Sequence, residues 1–389
     1  SFVNSCWWDN SCSCENFCFV ENSGCVEYSG CGENSGGGEN SGGGVNTTVA
    51  TQISNTNQTF SLDGDAAKIK FLLKTSTAGS VNEIALFKVD NEQGTINGVN
   101  PDDSNYTEVA LQNSTTVFSV LNNAPQGFPT NPSRTIELSE SKNFRFLMVE
   151  DGTLDGLRNG SVDSSQIRLS SSVTVSDIGD SNFDLGFSED AGGDDDITVQ
   201  MQLDNQATKP IGTDLQSQQQ GEVIDLRSVT TKQTATFTVN REAAFDNFVI
   251  FYQVADADGG IDTNNDGLAD VLPGETDYTT AALNNRVAGI DLQVANEGTL
   301  TVTGEFEPGS IFAPALIVNG TPDELLDNNP NNDPEIFFPY IGANADKLDH
   351  VRMFGDNTFG FEDLLEGGDN DFNDITVSIQ FSELSVLSS

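Results

Sequence analysis

Residues 262–270 have the residue types and the spacing of a calcium-binding loop. Side-chain oxygens stand at the first, third, fifth and ninth positions of this segment, and glycine stands at the sixth. Oxygen ligands at alternating positions converge on one hard cation, and the glycine permits the sharp turn between them. The segment therefore predicts a Ca²⁺ site, with ligands from Asp262, Asn264, Asp266, the backbone of Leu268, and Asp270.

The loop departs from a complete EF-hand at its end. The twelfth position, which carries a bidentate acid in an EF-hand, is Pro273, and the sequence predicts no flanking helices. The spacing is closer to the shorter calcium loops of dockerin or thrombospondin-type repeats. In a loop of that kind, Glu275 or Asp277 of this chain would complete the site. The alternative is a surface turn, rich in Asp and Asn, that binds no ion.

Residues 362–374, here called the closing turn, are crowded with acids around a Gly-Gly pair. Carboxylates at this density repel one another unless a cation neutralises them. Solvated acids on an ordinary turn are the alternative. The predicted metal ligands are Glu362, Asp363, Asp369, Asp371 and Asp374.

A shorter acidic run closes the first half of the chain in the same way. Three of its acids are consecutive, and consecutive side chains of an extended chain point to opposite sides. We therefore expect fewer of them to bind an ion. The run consists of Glu189, Asp190, Asp194, Asp195 and Asp196.

Groups typical of catalysis are scarce. The chain has one histidine, His350, and its cysteines all lie within the first 31 residues, so the remainder has no thiol nucleophile. The sequence also lacks a Gly-x-Ser-x-Gly elbow. Because carboxylate pairs arise by chance among 60 acidic residues, they do not indicate a glycosidase. We predict a structural role for His350 and no enzyme activity.

The net charge of the chain limits the classes of molecule that it can bind. Acidic residues number 60 and basic residues 16, which gives a net charge of −44. Such a charge repels nucleic acids and anionic membranes and attracts divalent cations, although it also serves simply to keep a protein soluble. No apolar run reaches the roughly 18 residues of a membrane helix. The composition, and a chain that starts at Ser1 rather than Met, predict a processed or partial extracellular protein.

Short alternating apolar runs after residue 44 predict an all-β fold. Only residues 322–326 look helical. Predicted strands occupy 68–75, 83–89, 116–121, 144–150, 171–178 and 196–203 in the first half, and 234–240, 248–254, 289–295, 299–306 and 374–381 in the second.

Three blocks of sequence recur in the same order in the two halves. Residues 84–89, 146–153 and 183–199 correspond to residues 249–254, 315–321 and 359–377. This order predicts a tandem duplication of a β-sandwich-like, jelly-roll-type domain. We place the domains at 45–205 and 230–389, with a linker at 206–229 and a repetitive arm at 1–44.

The second half resembles a known family. Residues 240–244 (NREAA), 251–254 (FYQV), 273–274 and the closing turn are similar to a bacterial domain of unknown function, numbered four-one-one-four, over roughly residues 233–381. The resemblance implies a secreted or surface protein with a β-rich fold, of a kind common in cyanobacteria and often found beside calcium-binding repeats. It implies no reaction. The first half, which lacks the NREAA run, would be a divergent copy.

The arm repeats an acid-Asn-Ser-Gly pattern every six residues from residue 3 to residue 44. An even period places equivalent side chains on one face of an extended chain. Three interpretations remain open: a flexible linker, a disulfide- or metal-stapled knot, and an assembly arm that pairs with neighbouring subunits. In the last, disulfides would lock the assembly through Cys6, Cys12, Cys14, Cys18, Cys25 and Cys31.

Together these features predict a secreted structural or adhesive protein that is stabilised by calcium and self-associates into an extracellular filament or surface matrix. A calcium-dependent module that binds surface polysaccharide, tethered by the arm, is the alternative.

Overall fold

Alternation of apolar and polar residues produces strands in the first half (residues 48–205). The strands are β1 Ile53–Thr56, β2 Thr59–Leu62, β3 Ala67–Ser76, β4 Asn82–Val89, β5 Ser114–Val120, β6 Ser133–Leu138, β7 Asn143–Val149, β8 Ile167–Leu169, β9 Thr174–Gly179, β10 Asn182–Phe187 and β11 Ile197–Leu203. In β3, for example, every second side chain is buried at the start of the strand. This half forms two antiparallel sheets, ordered β1-β2-β7-β4-β5, with β8 beside β7, and β6-β3-β11-β10-β9.

The strands of the second half (residues 206–382) are β12 Ile224–Asp225, β13 Gln233–Arg241, β14 Phe248–Val254, β15 Arg286–Leu292, β16 Thr299–Phe306, β17 Ile311–Ile317, β18 Ile336–Phe337, β19 Val351–Gly355, β20 Thr358–Phe361 and β21 Ile375–Phe381. They form two sheets, ordered β12-β17-β14-β15, with β18 beside β17, and β16-β13-β21-β20-β19. These orders repeat those of the first half, except that β1 has no counterpart.

The structure is a computed structural model that describes residues 48–139, 142–190, 192–218 and 220–382. The repetitive arm and its six cysteines lie outside the described residues. The two halves described here belong to one compact unit. Four antiparallel sheets confirm the all-β prediction.

Phenylalanine fills the space between the two sheets of each half. In the first half, the ring of Phe60 lies 5.5 Å from the rings of both Phe144 and Phe146. In the second half, the ring of Phe306 lies 5.7 Å from Phe251 and 4.8 Å from Phe312. Because aromatic side chains bury large apolar areas, these clusters form the main core of each sandwich.

Short helices cover the outer face of one sheet in each half. They are α1 Tyr106–Gln112, α2 Leu154–Asn159, α3 Tyr278–Asn284 and α4 Pro322–Leu326, with 3₁₀ turns at Ser164–Gln166, Ser170–Ser172, Leu215–Ser217, Ile341–Ala343 and Leu365–Gly367. The helix predicted at 322–326 is confirmed, but the prediction that it was alone is wrong. The other three, of 6 or 7 residues, are also too short for helical periodicity, and they lack the proline and the capping box that mark the start of α4.

The two halves meet through buried polar and apolar contacts, here called the interface between the halves. Arg134 Nη1 of β6 lies 2.6 Å from Asp356 Oδ1, and Arg352 Nη1 donates to the carbonyl oxygen of Val81 at 2.9 Å. An apolar cluster joins the same surfaces, and it consists of Val81, Leu121, Phe128, Phe354 and Phe372.

The segment predicted as a linker packs against the second sandwich. Val223, Ile224 and Leu226 are fully buried, and β12 pairs with β17. Gln216 Nε2 donates to Asn357 Oδ1 at 2.9 Å. Although residues 206–220 are polar in composition, the residues that follow them contribute to the core of the second half.

Candidate metal centre

The closing turn connects two neighbouring strands of one sheet, β20 and β21. The last backbone pair of the two strands is Phe361 with Ile375, so Glu362 and Asp374 stand directly beyond it. The backbone N–H of Asp363 donates to Asp374 Oδ2 at 2.8 Å. Gly368 has φ +53°, and a Cβ there would overlap Glu362 Oε1. Glycine therefore allows the turn to fold back onto the Glu362 carboxylate.

The turn brings its carboxylates into two triads. One oxygen each from Glu362, Asp369 and Asp371 lie within 4.8 Å of one another, and the same holds for Glu362, Asp363 and Asp374. Oxygens that bind one Ca²⁺ at about 2.3–2.6 Å lie at most about 5 Å apart. Each triad therefore has the spacing of a cation site. The structure brings together all five acids that the sequence singled out here.

Burial raises the pKa values of these carboxyl groups. Removal from water, followed by the nearby charge of Asp369, raises the pKa of Glu362 to about 7. Burial, followed by the charges of Asp363 and Glu362, raises the pKa of Asp374 to about 9. The pKa values of Asp363 and Asp371 are also raised, chiefly by burial. The charged forms of these carboxyl groups are therefore disfavoured in the turn, and a bound cation would stabilise them.

Two buried polar atoms next to the triads have no hydrogen-bond partner. Glu362 is fully buried and its Oε2 accepts no hydrogen bond. Asn247, also fully buried, donates through Nδ2 to Asp363 Oδ2 at 2.7 Å, and its Oδ1 is unpaired. Since an unpaired buried polar atom costs about 1–3 kcal/mol, these oxygens mark a position for a ligand.

Sequence reasoning missed Asn247. It lies more than a hundred residues before the closing turn, on the approach to β14, and no spacing pattern links the two. Only the neighbouring NREAA run carries a signal, because the backbone N–H of Glu242 donates to the carbonyl oxygen of Asp374 at 3.2 Å. The buried Arg241 also lies near and partly offsets the charge of Asp363.

The loop at 262–270 is exposed and closed by its own hydrogen bonds. Asp262 accepts from the backbone N–H groups of Asn264, Asn265 and Gly267 at 2.6–3.1 Å. These bonds, that of Gly267 foremost, lower the pKa of Asp262. The carboxylate of Asp270 accepts hydrogen bonds from the backbone N–H and the hydroxyl of Thr263. Among the described residues, the acids of this loop do not form a triad like those of the closing turn.

The acidic run of the first half is arranged differently. Glu189 accepts from Gly79 N, Ser80 N and Asn82 Nδ2 at 2.8–3.0 Å, and its backbone N–H donates to Asp196 Oδ2. Glu189 therefore occupies the place of Asp363, and Ser188 that of Glu362, one position away from the alignment expected from sequence. We expected a metal site at Glu189, Asp190, Asp194 and Asp196. Among the described residues these acids do not form a triad like those of the closing turn.

His350 is fully buried beneath the closing turn. Its Nδ1 lies 3.0 Å from the carbonyl oxygen of Glu362, and its Nε2 lies 2.9 Å from Asp346 Oδ2. The ring stacks on Phe337 with centroids 3.6 Å apart. Both nitrogens are thus engaged, which is the arrangement of a structural histidine. The predicted absence of enzyme activity stays a prediction.

A cleft of about 840 Å³ lies between the halves and is lined by Asp155, Arg158, Tyr340 and Asp346, among others. Next to it, carboxyl groups of both halves surround the buried guanidinium of Arg352. Burial raises the pKa of Glu83 to about 7 and that of Asp155 to about 6, and it also raises the pKa values of Glu222 and Asp349. Sequence reasoning did not find this group, because its members are far apart in the chain.

The fold and the closing turn define an acidic β-sandwich protein with a cluster of carboxylates fit for cations. Residues 306–382 match the family model described as a domain of unknown function (DUF4114). The match runs from the end of β16 through the closing turn to β21, and does not extend to the upstream residues of the expected resemblance. No curated protein and no solved structure matches the chain. No helix in the described part of the chain is long and apolar enough to span a membrane.

Proposed function

We propose that this chain is a secreted structural or adhesive protein whose sandwiches are stabilised by calcium and which assembles into an extracellular filament or surface matrix. One observation carries the calcium: the buried, unpaired oxygen of Glu362 lies among four further carboxylates. Ca²⁺ accepts six to eight oxygens in flexible geometry, whereas Mg²⁺ keeps several waters and a strict octahedron. A crowded carboxylate cluster suits Ca²⁺ better.

The first half is, in this proposal, a divergent copy of the second. The matching strand order of the two halves, in which only β1 has no counterpart, supports it, as does the placement of α1 and α3 between corresponding strands. The copy has Ser188 in place of Glu362, so the carboxylate that the two triads share is missing. Calcium would therefore bind mainly in the second half.

Assembly rests on the six-residue register of the arm at 1–44, which lets identical subunits pair in a regular way. The net charge of −44 opposes the approach of two such chains, and calcium would reduce that repulsion. Cell-surface assembly would thus depend on calcium twice, in the fold and between subunits.

Electron microscopy of the whole protein in millimolar calcium, then after chelator and reductant, tests the proposal. Filaments that fray under these treatments are the expected result. A chain that stays monomeric in calcium, with and without residues 1–44, would refute the assembly role.

The cleft between the halves favours one alternative, a calcium-dependent module that binds a surface polysaccharide. Its volume of about 840 Å³ is in the range of ligand sites, and it presents carboxylates beside a tyrosine. Saturable binding of the whole chain on a glycan array, abolished by chelator and by Asp155→Ala, would support this function.

A further inference from the structure

The two triads of the closing turn share only Glu362. Asp369 and Asp371 lie in one triad, and Asp363 and Asp374 lie in the other. A single ion has its ligands within one coordination sphere, which would group all five acids together. The geometry instead divides them into two neighbouring spheres that meet at the Glu362 carboxylate.

Charge points the same way. The five carboxylates of the triads carry five negative charges when ionised, and one divalent ion would leave three of them unbalanced. Two divalent ions leave one. Arg241, whose charge acts on Asp363, is already paired with Asp246 Oδ1 at 2.8 Å.

The unpaired Oδ1 of Asn247, a residue outside the triads, is an independent observation beside the triad of Glu362, Asp363 and Asp374. Asn247 Nδ2 holds Asp363 from behind, and neither Asn247 Oδ1 nor Glu362 Oε2 has a partner. Hydrogen bonds of this kind orient the ligands of metal sites. We propose that the closing turn binds two divalent cations, with the Glu362 carboxylate as the bridge between them. This inference rests on the proposed calcium binding.

The two positions differ in exposure. The inner one has two buried ligands, Glu362 and Asp363, together with the half-buried Asp374. The outer one uses the exposed Asp369 and the half-buried Asp371. Because water competes less in the inner position, the inner ion binds more tightly and exchanges more slowly, while the outer ion responds to the external calcium concentration.

Equilibrium dialysis of the full chain against calcium counts the ions. Relative to the unmodified chain, Glu362→Gln loses two ions, and Asp369→Asn and Asp374→Asn each lose one. Glu366→Gln is the matched control, because Glu366 is exposed on the same turn and belongs to neither triad. It loses none.

The outcomes separate the two proposals. Loss of the same single ion in all three variants overturns the pair of ions but leaves calcium binding intact. Full retention in every variant removes calcium from the closing turn altogether.

A second measurement needs no variant of the turn, in case Glu362→Gln does not fold. Terbium and europium are loaded together into a chain that carries Asp266→Ala, which keeps the exposed loop from contributing. Two ions sharing one bridge lie about 4 Å apart, so terbium emission is strongly quenched by transfer to europium. Unchanged terbium lifetimes would contradict a shared bridge.

Discussion

Asp266 stands at the fifth position of the exposed loop, where its Oδ1 accepts from the backbone N–H of Leu268. If the loop binds calcium, Asp266→Ala removes a ligand. Calcium at 100 times the dissociation constant of a site raises the free energy of unfolding by about 2.7 kcal/mol. We therefore expect the melting temperature of the variant to fall by roughly 5 °C in calcium and hardly at all in chelator. Differential scanning calorimetry in both conditions measures this.

Asp177→Ala is the control for that variant, because Asp177 accepts from the N–H of Gly179 in a similar exposed turn. It should change melting equally in calcium and in chelator. The same behaviour from Asp266→Ala would argue that the loop is an ordinary turn.

Gly368 is the position at which the closing turn tolerates no side chain. Gly368→Ala pushes a methyl group against Glu362 and strains a backbone with φ +53°. Gly309→Ala provides the control for strain alone, because Gly309 has φ +76° and open space around it. We expect Gly309→Ala to lose about 1 kcal/mol of stability from backbone strain, and Gly368→Ala to lose more because of the overlap with Glu362. Only Gly368→Ala should weaken calcium binding, at least tenfold, in calorimetric titration. Equal affinities would separate Gly368 from the site.

At this scale the sequence predicted the crowded acids of the closing turn correctly as neighbours, because they lie within one short turn. It could not predict Asn247 or the triads, which depend on how that turn folds back against a distant segment. It also aligned Glu189 with Glu362, since identical residue types masked a shift of one position that only the strand pairing reveals.

Among the elements, the contact between β6 and the residue that follows β19 is the simplest to test. Arg134 is fully buried and its partner Asp356 is 13% exposed. Removing one member of a buried pair leaves the other charge poorly solvated, which typically costs about 3–5 kcal/mol. We expect Arg134→Ala to lose that much stability in urea denaturation.

The control for this variant is Lys142→Ala, which breaks the pair with Asp65, exposed at 60% and 51%. Pairs of this kind contribute about 0–1 kcal/mol. A loss from Arg134→Ala no greater than that of the control would mean that the two halves do not depend on this contact.

Whether a strand was predictable depended on how plainly its own residues showed its character. The predicted strand at 299–306 coincides with β16, whose side chains alternate between exposed and half-buried. In contrast, β17 is buried along its entire length and contains Pro314, so it lacks alternation and was not predicted as a strand. The strand β12, which pairs with β17, was not predicted either, because the residues that precede β12 are polar.

For the whole molecule, Glu83 connects stability to pH. Its folded pKa of about 7 lies above the ordinary 4.5 because it is buried, where it accepts from Leu154 N at 2.9 Å. The folded chain thus holds this proton more tightly than the unfolded chain. The contribution is complete below about pH 4.5 and is lost as pH rises to about 7, by about 3 kcal/mol at most.

Glu83→Gln keeps the acceptor and removes the titration. The stability of the variant relative to the unmodified chain should therefore rise between pH 4.5 and pH 8, as measured by urea denaturation. Asp155, Glu222, Asp349 and Arg352 face the same region and remain in both proteins. A difference that does not change with pH would show that Glu83 is ionised in the folded chain throughout.

The sequence indicated two similar halves but not their joint surface. Arg134 and Asp356 are 222 residues apart, and neither belongs to a recognisable motif. Docking of two sandwiches depends on shape and on scattered side chains, whereas alternation within one strand is local. The interface is therefore the feature that sequence reasoning had least means to anticipate.

The position of β21 has a mechanical consequence. This last described strand lies between β13 and β20 and pairs antiparallel with both. Tension applied at residue 382 would act along the strand, so the hydrogen bonds on both sides would have to shear together rather than open one by one. The closing turn holds the other end of β21, and ions bound there would brace the strand at the end opposite to the load. Their removal should therefore lower the force at which the chain extends.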